Sequence, residues 1–154
     1  MAFSLSSPAF ENGRPIPHRH TRGGDNLSPF LQWADPPDGA QSFVVVLEDA
    51  DAPIPAFRHW VVYDIPRDRR HLAEGNSSGA GTEALPHATN DFGNARYDGP
   101  EPVAEGRPHT YRYRLMALNV PSIDVRSGAP ARAVLEAARP HLIAEAELTG
   151  TYSH

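Results

Sequence analysis

The run from Ser42 to Asp49 (SFVVVLED) constrains this chain more than any other stretch. It is β-branched and apolar, and far too short to span a bilayer, so it reads as a buried strand. Side chains alternate across a strand. Phe43, Val45, Leu47 and Asp49 therefore share one face, and a carboxylate ends an otherwise apolar stripe. Two further segments repeat this design. His59 to Ile65 (HWVVYDI) would place His59, Val61, Tyr63 and Ile65 on one face, with His59 at its N-terminal end. His109 to Leu118 (HTYRYRLMAL) alternates aromatic or apolar residues with Arg112 and Arg114. There His109 and Tyr111 lead a face that continues as Tyr113, Leu115 and Ala117. Phe30 to Trp33 is a fourth, shorter candidate, ended by Asp35-Pro36-Pro37-Asp38-Gly39.

If the first two strands pair antiparallel, Asp49 and His59 fall at the same end of a sheet. If the third runs parallel in space to the second, His109 and Tyr111 join them. Apolar faces that all end in polar groups at one edge make a shallow polar pocket on an apolar floor. Imidazoles and a phenol donate hydrogen bonds to an oxyanion, and a nearby carboxylate orients an imidazole or receives a cation. A bare phosphate would be repelled by ionised Asp49 or Asp51. A zwitterion, or a singly charged anion with Asp49 locked to an imidazole, avoids that conflict.

Composition narrows the classes. The chain has 154 residues, 40% hydrophobic and 21% charged, the size and make-up of one domain with a single core. Its net charge of -5, with eight His counted neutral, gives no bulk attraction to nucleic acid or anionic lipid. Any anion site must be local. No cysteine is present, which excludes disulfides, Cys-based zinc sites and a Cys nucleophile. The first residues, Met1 to Pro8, lack the basic and apolar regions of a signal peptide, and no apolar run approaches the ~20 residues of a membrane span. A cytoplasmic location without stable membrane insertion is the expectation, and the sequons at Asn26 and Asn76 carry no weight there.

Sixteen Pro and twelve Gly are dispersed as turn punctuation. One helix is expected, roughly Pro130 to Ala138, burying Val134, Leu135 and Ala138. Leu142 to Tyr152 reads as helix then strand, with nothing in the sequence to place the switch. The Gly-, Asn- and Pro-rich stretch from Asp68 to Pro108 is long enough to be a functional loop. The pattern is that of an all-β protein, a β-sandwich with a short helix near its C-terminus. His18 and His20 would share a strand face without a supporting carboxylate, and Arg67, Arg69 and Arg70 read as a solvated turn. Gly75-Asn76-Ser77-Ser78-Gly79 matches a nucleophile pattern, but no strand-turn-helix elbow surrounds it.

Several further segments, taken in order, resemble the phosphatidylethanolamine-binding protein family, closest to its bacterial Raf-kinase-inhibitor-like branch. They are Asn26-Leu27-Ser28-Pro29 with Leu31-Gln32-Trp33, Glu48 to Pro53, His59 to Pro66, Asn90-Asp91-Phe92-Gly93, Tyr97 to Pro100, His109-Thr110-Tyr111, and Leu148 to Tyr152. Each is weak alone; their order and spacing are specific, and they cover nearly the whole chain. The resemblance implies an antiparallel β-sandwich of Greek-key type with an anion pocket. Its pocket residues carry over as Asp49, Asp51, Pro53, His59, Gly99, Pro100, His109 and Tyr111, with a cis bond before Pro53. Phosphate, phosphorylethanolamine-like head groups and small carboxylates are the implied ligands. Ala50 departs from the usual Pro of the motif, and Val103 from a second Pro after the Gly-Pro loop. On a sequence ending at His154, the longer C-terminal helix of the animal proteins is not expected, nor is their kinase-regulating behaviour.

Three functions follow as expectations. The first is a non-enzymatic binder of small anionic or zwitterionic ligands, without cofactor, acting on a protein partner. The second is a metal-dependent enzyme using the His and Asp cluster. The third is an interaction protein, a homodimer as the bacterial relatives imply, whose pocket only stabilises the fold.

Overall fold

The computed structural model describes residues 2–52, 57–77, 85–101 and 107–152. Along the chain, strands β1 (Ser4–Ser6), β2 (Arg14–Pro15), β3 (Leu31–Ala34), β4 (Ser42–Asp49), β5 (Phe57–Pro66) and β6 (His71–Leu72) come first. They are followed by β7 (His109–Leu118), helix α1 (Ala131–Ala138) and β8 (Leu142–Tyr152). Two sheets result, ordered β1-β3-β6 and β2-β8-β7-β4-β5.

The β4 run is apolar on both sides because it lies inside the larger sheet with both faces covered, and every residue in it is buried. Phe43, Val45 and Leu47 enter a first core shared by the two sheets, with Leu5, Leu31 and Trp33 of the smaller one. Val44 and Val46 enter a second core under α1, with Met116, Leu118, Val134 and Leu135. Burying each large apolar side chain contributes about 1.5–3 kcal/mol. On that second face Glu48 is only 3% exposed, and Arg112 and Arg114 pair with it at 3.1 and 3.0 Å. Removing one partner of such a pair would leave a buried charge uncompensated.

α1 forms where the spacing predicts. It starts after Pro130 and buries Ala131, Val134, Leu135 and Ala138, one stripe of a 3.6-residue period. The chain then makes a single 3-10 turn over Arg139–His141 and becomes strand from Leu142 onward. The ambiguous tail is therefore strand throughout, paired antiparallel along β7. The expectation of wholly antiparallel sheets needs correcting at one edge: β2 pairs parallel with Gly150 and Thr151 of β8. Gly150 permits that approach, since a Cβ there would lie 2.5 Å from Ile16 Cγ1. The short strand expected at Phe30 to Trp33 forms one residue later, and His18 and His20 occupy a 3-10 turn rather than a strand.

The β4–β5 pairing carries two irregularities, one beside Leu47/Glu48 and one between Phe43 and Val45. Trp60 faces Leu47 while Arg58 faces Glu48, so His59 is an extra residue in the first bulge. The second takes in Asp64, whose φ is 53°. A bulge reverses which residues face which side. Trp60, Val62 and Ile65 consequently join the first core, while Val61 and Tyr63 join the second. The expected face of His59, Val61, Tyr63 and Ile65 does not exist.

Because Leu47 is fully buried in the central strand, Leu47→Ala is expected to lower unfolding stability by about 3 kcal/mol. Ile143→Ala, at an exposed position of β8, should change it by under about 0.5 kcal/mol. Urea midpoints of the two variants check this.

Candidate functional site

The pairing conditions set out from sequence are both met. β4 runs antiparallel to β5 on one side and to β7 on the other, so β5 and β7 point the same way. Asp49 lies between Phe57 and Tyr111 across the sheet. His59 reaches the same face through its bulge, and its ring meets the Tyr111 ring edge-on at 5.5 Å. His109 stands two residues before Tyr111 on that strand face, with ring centroids 6.4 Å apart. Asp49, His59 and His109 thus converge around the Tyr111 phenol.

Each ring is held by a second group. His59 Nδ1–H is shared between the Gly99 carbonyl at 2.9 Å and the Asp98 carbonyl at 3.1 Å. His109 Nδ1–H donates to Asp49 Oδ2 at 2.8 Å, and the other carboxylate oxygen receives the Asp51 N–H. The Tyr111 hydroxyl donates weakly to the Glu101 carbonyl at 3.3 Å. Burial pushes the Tyr111 phenol well up, helped by the Asp49 charge, so it stays a protonated donor. Burial also pushes His59 below the ordinary 6.5, against the opposing pull of the Gly99 carbonyl and the Asp49 carboxylate.

Other expected residues have supporting places. Asp51 is exposed, and its carboxylate receives the Thr110 N–H, tying the end of β4 to the start of β7. Gly99 gives His59 its carbonyl, and a Cβ there would sit 2.0 Å from the His20 carbonyl oxygen. The Pro100 carbonyl accepts from the Arg22 N–H. Pro53, with the bond before it, and Val103 lie outside the described residues.

The asparagine network that holds the Gly99 loop is the part that sequence reasoning missed. Asp98 is fully buried and receives hydrogen bonds from Asn26, Asn90 and Asn94. Burial acts to raise its pKa, but those amides, with Arg96 alongside, outweigh it and hold the carboxyl below its ordinary value. Asn90 also donates to the His59 carbonyl, and Asn26 Oδ1 receives the Gly99 N–H. Phe57 and Phe92 rim the His59 ring at 5.3 and 5.0 Å, and Arg22 lies over Phe92 at 4.0 Å while pairing with Glu101. The signal available was the Asn90-Asp91-Phe92-Gly93 turn, in which Asn90 Oδ1 receives the N–H groups of Phe92 and Asn94.

The remaining sequence candidates lie elsewhere. Ser77 sits in a turn and donates to His87 Nε2 at 2.7 Å, with His87 Nδ1 on the Leu85 carbonyl. It has no strand before it of the kind an elbow requires. A cleft of about 450 Å³ on the smaller sheet is lined by Ser4, Gln32, Arg70 and His71 and contains none of the converging residues. Its Arg70 guanidinium is occupied by the Arg67 and Arg69 carbonyls. Among the described residues, no group of three or more His, Cys, Asp or Glu side chains is placed to hold a metal ion.

The sequence model for phosphatidylethanolamine-binding proteins matches residues 6–153. The chain belongs to that family. Two similar relatives are UPF0098 proteins. One, from Aquifex aeolicus, is 38% identical over 146 residues, covering 95% of this chain and 85% of the relative. The other, YbhB of Escherichia coli, is 38% identical over 157 residues, covering 97% and 99%. Among solved structures, E. coli YbcL, described as a new member of the mammalian PEBP family, superposes with a TM-score of 0.94. It is 30% identical, with 100% of this chain and 99% of that one covered. The Chlamydia trachomatis PEBP homolog CT736 gives 0.87 at 34% identity, covering 99% and 98%. The family resemblance read from the motifs is thus shown, and with it the bacterial branch.

The buried imidazoles make this PEBP-family fold sensitive to acid. His20, His59 and His87 all have pKa values lowered by burial. Above 6.5 they are neutral in both folded and unfolded states, and the fold loses nothing. As pH falls below 6.5, the unfolded chain takes up protons that the native rings refuse, and stability declines. Asp98, held below its ordinary value, adds its own loss only at lower pH. Urea midpoints should therefore fall steadily from about pH 7 to about pH 5, with a shallower fall in His87→Gln. A flat profile would contradict the burial assignment.

Proposed function

We propose that this chain binds small oxyanions or zwitterions in the Asp49, His59, His109 and Tyr111 pocket and does not transform them. The observation that carries the reading is the convergence of two anchored imidazoles and a protonated phenol at one sheet end, on an apolar floor. Phosphate, phosphorylethanolamine-like head groups and carboxylates can hydrogen-bond to that set of groups, and the family's name points to the same chemistry. The non-enzymatic part is supported by the site's own wiring. Both rings are committed through Nδ1, and no described Ser or Thr hydroxyl is hydrogen-bonded to either.

The proposal extends to the whole protein. The chain leaves the larger sheet after β5, adds β6 to the smaller one and returns beside β4, which supports a Greek-key sandwich. The cysteine-free composition supports a cytoplasmic setting. No helix among the described residues is long and apolar enough to cross a membrane. A homodimer acting on a protein partner is part of the same reading, carried from the family resemblance.

Titration calorimetry with phosphorylethanolamine tests the core of it. Wild-type protein should give saturable binding. His59→Ala should weaken it roughly tenfold or more, the loss of one strong hydrogen-bonding group. Tyr111→Phe keeps the ring packing and should weaken binding less. Affinity unchanged in both folded variants would contradict the site.

A further inference from the structure

The wiring of His59 says more about the ligand than its sign of charge. Nδ1 faces two backbone carbonyls, and a carbonyl accepts only. The Nδ1 proton is therefore fixed in place. A neutral ring with Nδ1–H has a bare lone pair on Nε2, and no described residue hydrogen-bonds Nε2. The ring meets a ligand as an acceptor, not as a donor. That is the opposite of what a fully deprotonated oxyanion needs.

The charges around it reinforce this polarity. Asp49 faces the ring from β4 and Asp98 from the loop, the Glu101 charge acts on Tyr111 beside it, and the Asp91 carboxylate receives the Arg58 backbone N–H. His109 and Tyr111 approach from β7. Two nearby cations are partnered: Arg22 pairs with Glu101 and Asp98, and Arg96 with Asp98. Burial holds His59 neutral to lower pH than an exposed ring. Tyr111 supplies one donor, and His109 carries a proton on Nε2 only as a cation paired with Asp49.

Resting on the anion-pocket reading, we infer that the site selects an oxyanion that brings its own proton: a phosphomonoester bound as the singly charged form, its P–O–H donating to His59 Nε2. Another oxygen accepts from the Tyr111 hydroxyl, which gives up its 3.3 Å bond to the Glu101 carbonyl for it, while His109 stays neutral on Asp49. A phosphodiester, as in a membrane lipid headgroup, has no P–O–H and cannot make that bond. A free phosphomonoester can. A pocket built around one hydrogen bond rejects analogues that lack the group, because a buried polar atom is then left unpaired.

Calorimetry on the full chain with three small probes separates the cases. Methyl phosphate has a second pKa of about 6, so at about pH 8 it is a dianion in solution. Its binding should then take up close to one proton, read from the heat in buffers of different ionisation enthalpy. At about pH 5 the free ligand already holds that proton and the uptake should vanish. Methyl sulfate matches the bound form in shape and charge but has no proton, and should bind at least about tenfold more weakly. Dimethyl phosphate stands for the lipid diester and should be equally weak. Methyl phosphate bound without proton uptake at about pH 8 overturns the inference, as does methyl sulfate bound equally tightly. Dimethyl phosphate bound as well as methyl phosphate overturns it in favour of the lipid headgroup. Failure of all three probes to bind at either pH instead overturns the anion-pocket reading beneath it.

Discussion

Two backbone carbonyls, those of Asp98 and Gly99, hold the His59 ring by one nitrogen, and the rest of the site is arranged around that grip. Backbone carbonyls are in place only if their loop is. The loop is fixed by Asp98, a buried carboxylate stabilised by three asparagine amides. Asn26 reaches from 72 residues earlier in the chain and Asn90 from 8, and Asn90 ties the same loop to the His59 carbonyl. The position of His59 is thus over-determined. A hydrogen bond contributes only about 1 kcal/mol net, but a buried polar group left unpaired costs more, so the network stands or falls together.

The sheet supplies the other half. β4 lies between β5 and β7, and its apolar stripe ends in Asp49 at the edge where β5 and β7 begin. β7 starts with His109 and Tyr111 on that same face, so the carboxylate and the second imidazole meet without any loop to place them. β5 is the outer strand. It is blunted by the segment from Pro86 to Asp98, whose N–H and carbonyl groups bond Arg58, His59, Val61 and Tyr63. That edge contact brings the Gly99 carbonyl to the ring and protects the strand from pairing with another chain.

These two halves differ in how readable they were. Asp49, His109 and Tyr111 sit on uninterrupted strands, where alternation alone gives the correct face. His59 was placed in the pocket by the same alternation, and there the reasoning fails although the residue is right. The extra residue at His59, and the second at Asp64, shift the phase, and neither bulge is announced by a Gly or Pro. Leu142 to Tyr152 was ambiguous because Ala and Glu favour helix, yet pairing along β7 prevailed over propensity. The Asp98 network was the least legible. Its asparagines lie 72, 8 and 4 residues away along the chain, and only the closed fold brings the first to the other two.

The fold, the family and the functional proposal meet in one atom-level claim: His59 carries its proton on Nδ1 and offers Nε2 to the pocket. The direct measurement is the tautomer itself, read from the ring ¹⁵N shifts of His59 in labelled protein at neutral pH. The account predicts a protonated Nδ1 and a bare Nε2, collapsing to a mixed or reversed state when Asp98→Ala loosens the loop. A wild-type ring protonated on Nε2 alone would contradict it, and with it the polarity assigned to the pocket.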